Sequence, residues 1–186
     1  LLGTVNDGAD AVITLSDAGT VTADADIGKY VLASAGGSTI TLGDDDLNVD
    51  TSGQGNDIIN VAGRTATGRF NTTAGDTISL TNNANIASVK GEAGGNGAVL
   101  DATKLTLAND ASVTMTAAQN NGFSSTITAD GAETITLSDA AAATGRANIE
   151  AYVLANGSQT FTLGAASQNV TTGSGALVID TGAIAD

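Results

Sequence analysis

The side chains with chemical potential in this chain are carboxylates. Ser52-Gly53-Gln54-Gly55-Asn56-Asp57-Ile58-Ile59-Asn60 places Asp57 behind two glycines and ahead of an apolar pair. Glycine allows the positive φ of a tight turn and a close backbone approach. The aspartate adds a hard oxygen, and the apolar residue after it returns the chain to a core. Hard oxygens on a turn suit Ca2+, which takes about six to eight of them, so a neighbouring segment must contribute. Asp44-Asp45-Asp46 and Asp50 lie just upstream, and Thr73-Ala74-Gly75-Asp76-Thr77-Ile78 carries another aspartate in a comparable turn. The candidate calcium ligands are therefore Asp57 with Gly53 and Gly55, then Asp44, Asp45, Asp46, Asp50 and Asp76. The competing reading of the acidic run is a solvated turn. Asp7, Asp10, Asp17, Asp24 and Asp26 suit turns that end strands.

Other chemistries find little material. The chain has no His and no Cys, and its serines have no visible base, so no nucleophile with a partner is identifiable. Lys and Arg total 6 and aromatics make up 3% of the chain, too few to grip a sugar polymer, so no enzyme is expected. A net charge of −14 disfavours nucleic acid, whose phosphates need cationic partners. No apolar run approaches the roughly 20 residues of a membrane-spanning helix, so no membrane insertion is expected.

The elements that must hold these turns repeat. Asp7-Gly8-Ala9-Asp10-Ala11-Val12-Ile13-Thr14-Leu15-Ser16-Asp17 returns as Asp130-Gly131-Ala132-Glu133-Thr134-Ile135-Thr136-Leu137-Ser138-Asp139. Tyr30-Val31-Leu32-Ala33 returns as Tyr152-Val153-Leu154-Ala155, and Thr39-Ile40-Thr41-Leu42-Gly43 as Thr160-Phe161-Thr162-Leu163-Gly164. A shorter copy begins at Gly75. The copies run approximately over 7–63, 75–100 and 130–182, within one domain of 1–186. Self-similarity of this kind marks stacked repeats. Short β-branched runs such as Thr77-Ile78-Ser79-Leu80 read as strands of about four residues. Inward candidates are Ile13, Val21, Val31, Ile40, Val49 and Ile59, then Ile127, Ile135, Val153, Phe161, Val170 and Val178. Their spacing predicts an all-β fold, a right-handed parallel β-solenoid with two strands and two turns per coil of roughly 18 residues. Ten coils at about 4.8 Å would make a shaft on the order of 45 Å long. Ala140–Ala147 reads as a short surface turn, and Gly91–Gly97 as a wide corner. The chain opens mid-pattern, as a segment of a longer one would.

Ser52–Asn60 fits the nonapeptide G-G-x-G-x-D-x-U-x at every defined position but the first, where Ser52 replaces glycine. Thr172-Gly173-Ser174-Gly175-Ala176-Leu177-Val178-Ile179-Asp180 is a weaker match, and an Asn/Asp-Ile…Val-Leu element recurs. On these residues the chain resembles the repeats-in-toxin family, and more closely the bacterial surface-layer and adhesin proteins exported by type I secretion. The resemblance implies secretion to the cell surface, folding with calcium outside the cell, and a structural role in a surface layer or filament. Self-association into a homopolymer or lattice follows from exposed solenoid ends. The alternative is an adhesin module that binds cells or a cell-surface polysaccharide. A further alternative comes from the Thr-x-Thr elements, Thr39/Thr41, Thr114/Thr116, Thr126/Thr128, Thr134/Thr136 and Thr160/Thr162, which would expose hydroxyls as ice-binding solenoids do. Tyr30 and Tyr152, at one repeat position, read as core aromatics capping a coil with their hydroxyls at the surface, or else as a sugar-stacking contact.

Overall fold

The structure, a computed structural model, describes residues 11–51, 55–91, 104–123, 126–182 and 184. Its elements in chain order begin with β1 (Val12–Leu15), β2 (Thr20–Thr22), β3 (Lys29–Leu32), β4 (Thr39–Thr41), β5 (Asn48–Asp50), β6 (Ile58–Asn60), β7 (Phe70–Asn71) and β8 (Thr77–Leu80). They continue with β9 (Lys104–Leu107), β10 (Ser112–Met115), α1 (Ala117–Gly122), β11 (Thr126–Thr128), β12 (Thr134–Leu137), β13 (Ala143–Thr144), β14 (Ala151–Val153), β15 (Gln159–Thr162), β16 (Asn169–Thr171) and β17 (Leu177–Asp180). Every strand pairing among the described residues is parallel. The fold is a parallel β-solenoid of about 8 turns. The sequence reading expected ten shorter coils.

The difference lies in a third face. The first face runs β1-β3-β5-β7, continues through the bridge from Arg69 to Lys90, and is carried on by α1 and then β13-β15-β17. The second is the six-stranded sheet β2-β4-β6-β8-β9-β11. The third begins as the bridged residues Thr65, Asn85 and Thr114 and widens into β10-β12-β14-β16. Early coils thus use the first and second faces, late coils the third and first, and the middle coils all three. The extra side lengthens the coils and reduces their number. It also displaces the repeat around the axis: β3 lies on the first face, whereas its copy β14 lies on the third.

Inward residues stack like on like. The second face contributes Ile40, Ile59, Ile78 and Leu105, all buried, in one column. The third contributes Val113, Ile135 and Tyr152, and the first Tyr30, Val49 and Phe70. Each Ile or Leu removed from water contributes about 1.5–3 kcal/mol, so a core one residue thick suffices when the column is unbroken. Tyr152 and Phe161 meet at 4.9 Å between ring centroids, tilted by 53°.

Three inward expectations are corrected. Val31 and Val153 face outward, and Tyr30 and Tyr152 take the inward positions beside them, because period-two strands cannot bury adjacent residues on one face and the aromatic ring brings more apolar surface. Val178 is 59% exposed on the outer side of β17, and Ile179 aligns with the buried Phe161. Ala140–Ala147, read as a turn, contains β13, paired with β15. Most of Gly91–Gly97, like Asp7 and Asp10, lies outside the described residues.

Candidate functional site

The corner that leads from the first face into the second carries the acids of greatest interest. Ser38, Asp57 and Asp76 each precede a strand, β4, β6 and β8, and stack in consecutive coils. All three are buried, the two aspartates completely. The Ser38 N–H donates to Asp57 Oδ1 at 2.6 Å, and the Asp57 N–H donates to Asp76 Oδ1 at 3.0 Å. Asp76 Oδ2 accepts from the Thr51 hydroxyl at 2.8 Å and from the Thr73 N–H and hydroxyl at 2.8 and 3.1 Å. The physical cause is local. An N–H at a coil corner has left the strand ladder, and a buried donor without a partner costs about 1–3 kcal/mol. A carboxylate from the next coil supplies the acceptor.

The turn before Asp57 is as tight as its glycine suggests: Gly55 and Asn56 have φ of 71° and 65°. Gly37, below them, leaves no room for a side chain, since a Cβ there would lie 2.6 Å from the Asn56 carbonyl oxygen. Within this packed corner Asp57 Oδ2 and Ser38 Oγ have no hydrogen-bond partner among the described residues. Burial pushes the Asp57 pKa up, the Ser38 N–H opposes that rise, and the neighbouring Asp76 carboxylate adds to it.

The remaining candidate ligands lie elsewhere. Asp44, Asp45 and Asp46 are exposed at the corner after β4, one strand away from Asp57. Asp44 Oδ1 accepts the Asp45 N–H at 2.6 Å, and the Asp45 carboxylate stands 3.6 Å from Arg64. Asp50 points outward from β5, paired with Lys29 at 2.9 Å and accepting from Asn71 Nδ2 at 3.0 Å. Gly53 lies outside the described residues. The structure therefore joins Asp57 to Asp76 and Gly55, and separates both from Asp44–Asp46 and Asp50. Among the described residues no group of three or more acidic side chains is gathered as a metal would require. Asp76 already accepts four donors, and among the described buried side-chain oxygens of this corner Asp57 Oδ2 and Ser38 Oγ are unclaimed.

A second carboxylate ladder escaped the sequence reading. Glu133, fully buried before β12, accepts the N–H groups of Asp130 and Asp110 on Oε1 at 3.2 and 3.3 Å. Its own N–H donates to Glu150 Oε2 at 3.0 Å, and Glu150 precedes β14. The signal was present: Glu133-Thr134-Ile135 matches Asp76-Thr77-Ile78, an acid directly ahead of a Thr-Ile strand. In both places the acid completes a coil corner.

Comparison with protein families, with curated proteins and with solved structures finds no match.

The tyrosines show the same corner logic. The Tyr30 hydroxyl accepts the Asp24 N–H at 2.9 Å, and the Tyr152 hydroxyl accepts the Arg146 N–H at 2.9 Å, each six residues upstream. Both corners are places where a coil has no strand on one face, so the phenol substitutes for the absent ladder. The hydroxyls are thus turned inward, not to the surface. Tyr152 also donates to Asn120 Oδ1 at 3.1 Å, and burial raises its pKa. Neither ring presents a face to solvent, which removes the sugar-stacking contact considered for them.

Proposed function

We propose that this chain is a structural solenoid segment of a secreted, extracellular bacterial assembly, a surface layer or filament, and that it associates with copies of itself through its end coils. One observation carries the reading. Coil stacks on coil in parallel register, and the outermost strands, β1 and β2 at one end and β16 and β17 at the other, each have a single neighbour among the described residues. A strand with one free edge offers unpaired N–H and C=O groups to another strand. Apolar side chains accompany these edges: Val12 is 57% exposed, and Val178 and Ile179 are 59% and 41% exposed.

The carbohydrate-binding alternative draws no comparable support. Tyr30, Phe70, Phe123, Tyr152 and Phe161, all the aromatics of the chain, are buried, so none is available to stack on a sugar ring. The reading does not rest on calcium: the hydrogen bonds that Asp57 and Asp76 accept come from donors of the chain itself.

Sedimentation velocity over a concentration series, with electron microscopy of the same samples, tests the proposal. Filaments or sheets that grow with concentration are the expected result, and Ile179→Lys at the edge should suppress them. A single monomeric species at every concentration would refute self-association.

A further inference from the structure

This chain keeps most of its acids in corners and off the outward strand positions. It carries 20 acidic residues and a net charge of −14. Yet no Asp or Glu occupies an outward position on β2, β4, β6, β8, β9 or β11. The outward positions form two columns in strict register. One reads Thr22, Thr41, Asn60, Ser79, Thr106 and Thr128, with a hydroxyl or amide on every rung. The other holds Thr20, Thr39 and Thr77, interrupted by Ile58 and Lys104. The Lys104 ammonium is drawn aside to the Gly75 carbonyl of the coil below, at 2.9 Å. Within the described residues the only one of these hydroxyls that is engaged is Thr41's, which accepts from Asn60 Nδ2 at 3.4 Å.

We propose that this six-stranded face binds ice. Adjacent rungs lie about 4.8 Å apart and alternate residues on a strand about 6.7 Å apart, so the face is a two-dimensional grid of hydroxyls on the scale of the oxygen rows of hexagonal ice. A hydroxyl both donates and accepts, as lattice water does. Threonine holds its hydroxyl and methyl in few rotamers, so little freedom is lost when water is ordered against it. Carboxylates would hold tightly bound hydration water of their own, and their absence here leaves the hydroxyl array undisturbed; the third face is equally free of outward acids, but Ala151 and Val153 break its columns. The intervals between Thr-x-Thr elements are irregular along the chain. Winding nevertheless brings Thr20/Thr22 and Thr39/Thr41 onto one sheet, with Thr77/Ser79 two rungs above them, and sends Thr134/Thr136 and Thr160/Thr162 to others. The occupant is frozen water and not a crystalline polysaccharide, because the face offers no aromatic platform.

The test uses the full chain. Thermal hysteresis and inhibition of ice recrystallisation are measured for the wild type, for Thr41→Lys with Thr106→Lys on the grid, and for Thr136→Lys on the outer side of β12. Circular dichroism establishes that each is folded. The expected result is activity in the wild type and in Thr136→Lys, lost to the buffer value in the grid variant. Fluorescently labelled wild type should be taken up into a growing ice crystal, a measurement that stands even if the grid variant misfolds. Wild type that is folded, inactive and excluded from ice overturns the proposal, and so does equal loss of activity in Thr136→Lys. Retention on crystalline cellulose or chitin without any effect on ice also overturns it, in favour of a polysaccharide. None of these outcomes depends on self-association.

Discussion

Asp57 separates a metal site from a backbone brace, and replacing it distinguishes the two. Asp57→Ala leaves the buried Ser38 N–H without its 2.6 Å acceptor, an expected loss of about 1–3 kcal/mol. Asp76→Ala strands two backbone donors, the N–H groups of Asp57 and Thr73, while the hydroxyls of Thr51 and Thr73 are able to turn elsewhere. Its loss is therefore about twice as large, roughly 2–6 kcal/mol. Asp57→Asn keeps Oδ1 for Ser38 and removes the ionisation. The Asp57 pKa is raised above its ordinary value of 3.8, so the folded state holds the proton more tightly than the unfolded one. Stability from this group is full below that value and is lost as pH rises through the folded pKa. At neutral pH Asp57→Asn should thus be at least as stable as the wild type, with a flatter dependence on pH. Urea unfolding followed by circular dichroism, at acidic and neutral pH, with chelator and with calcium, measures all four proteins. A calcium ion held by Asp57 at about 100 times its Kd would add about 2.7 kcal/mol to the wild type and little to Asp57→Asn. The brace account is refuted if calcium stabilises the wild type by such an amount and Asp57→Asn abolishes the gain.

Gly43→Ala should destabilise the stack by about 1–3 kcal/mol, because its Cβ would fall 1.8 Å from the Ala23 carbonyl oxygen and neighbouring coils must part to admit it; the urea midpoint reads this. Tyr152→Phe should cost more than Tyr30→Phe, by about 0.5–1.5 kcal/mol, since Tyr152 also donates to Asn120; a midpoint shift with unchanged slope checks it. Gln119→Ala should loosen α1 by roughly 2–4 kcal/mol, as it removes the cap on the Thr116 N–H and the donor to Ile86 and Val89; amide exchange at Thr116 and Gln119 should accelerate with it.

What the sequence disclosed was its repetition, and repetition carried the fold. The interval between Ile40 and Ile59 predicted the coil, and the structure stacks them. The third face was hidden, because Thr65 and Asn85 contribute single bridges that leave no alternating pattern to see. The helix was hidden too, being six residues long and short of an apolar stripe. Its one signature is the capping box of Thr116 and Gln119, which reads as polar loop without the packed partners beneath it. The acids were visible, but their task was not. Asp57 in a glycine turn has the same spelling whether its oxygens meet an ion or the amides of the next coil, and only the winding decides between them.

The displacement of the repeat around the axis explains why one sequence element serves on different faces. Tyr30 and Tyr152 sit on the first and third faces, Ile40 and Phe161 on the second and first. Each copy nevertheless keeps its internal contacts: the phenol catches the amide six residues back, and Gly43 and Gly164 both press against a backbone carbonyl below, Ala23 and Gly145. What a residue does here is set by its place in the rung and by the coil it rests on, and not by the compass direction of its face. The requirement on each rung is then small: one inward apolar residue, one acceptor for the corner amide, one glycine where coils touch. Outward positions are free of that requirement. The six-stranded face carries a hydroxyl or amide on every rung of one outward column, a continuity that neither packing nor the corner bonds require, and its composition answers to what lies outside it.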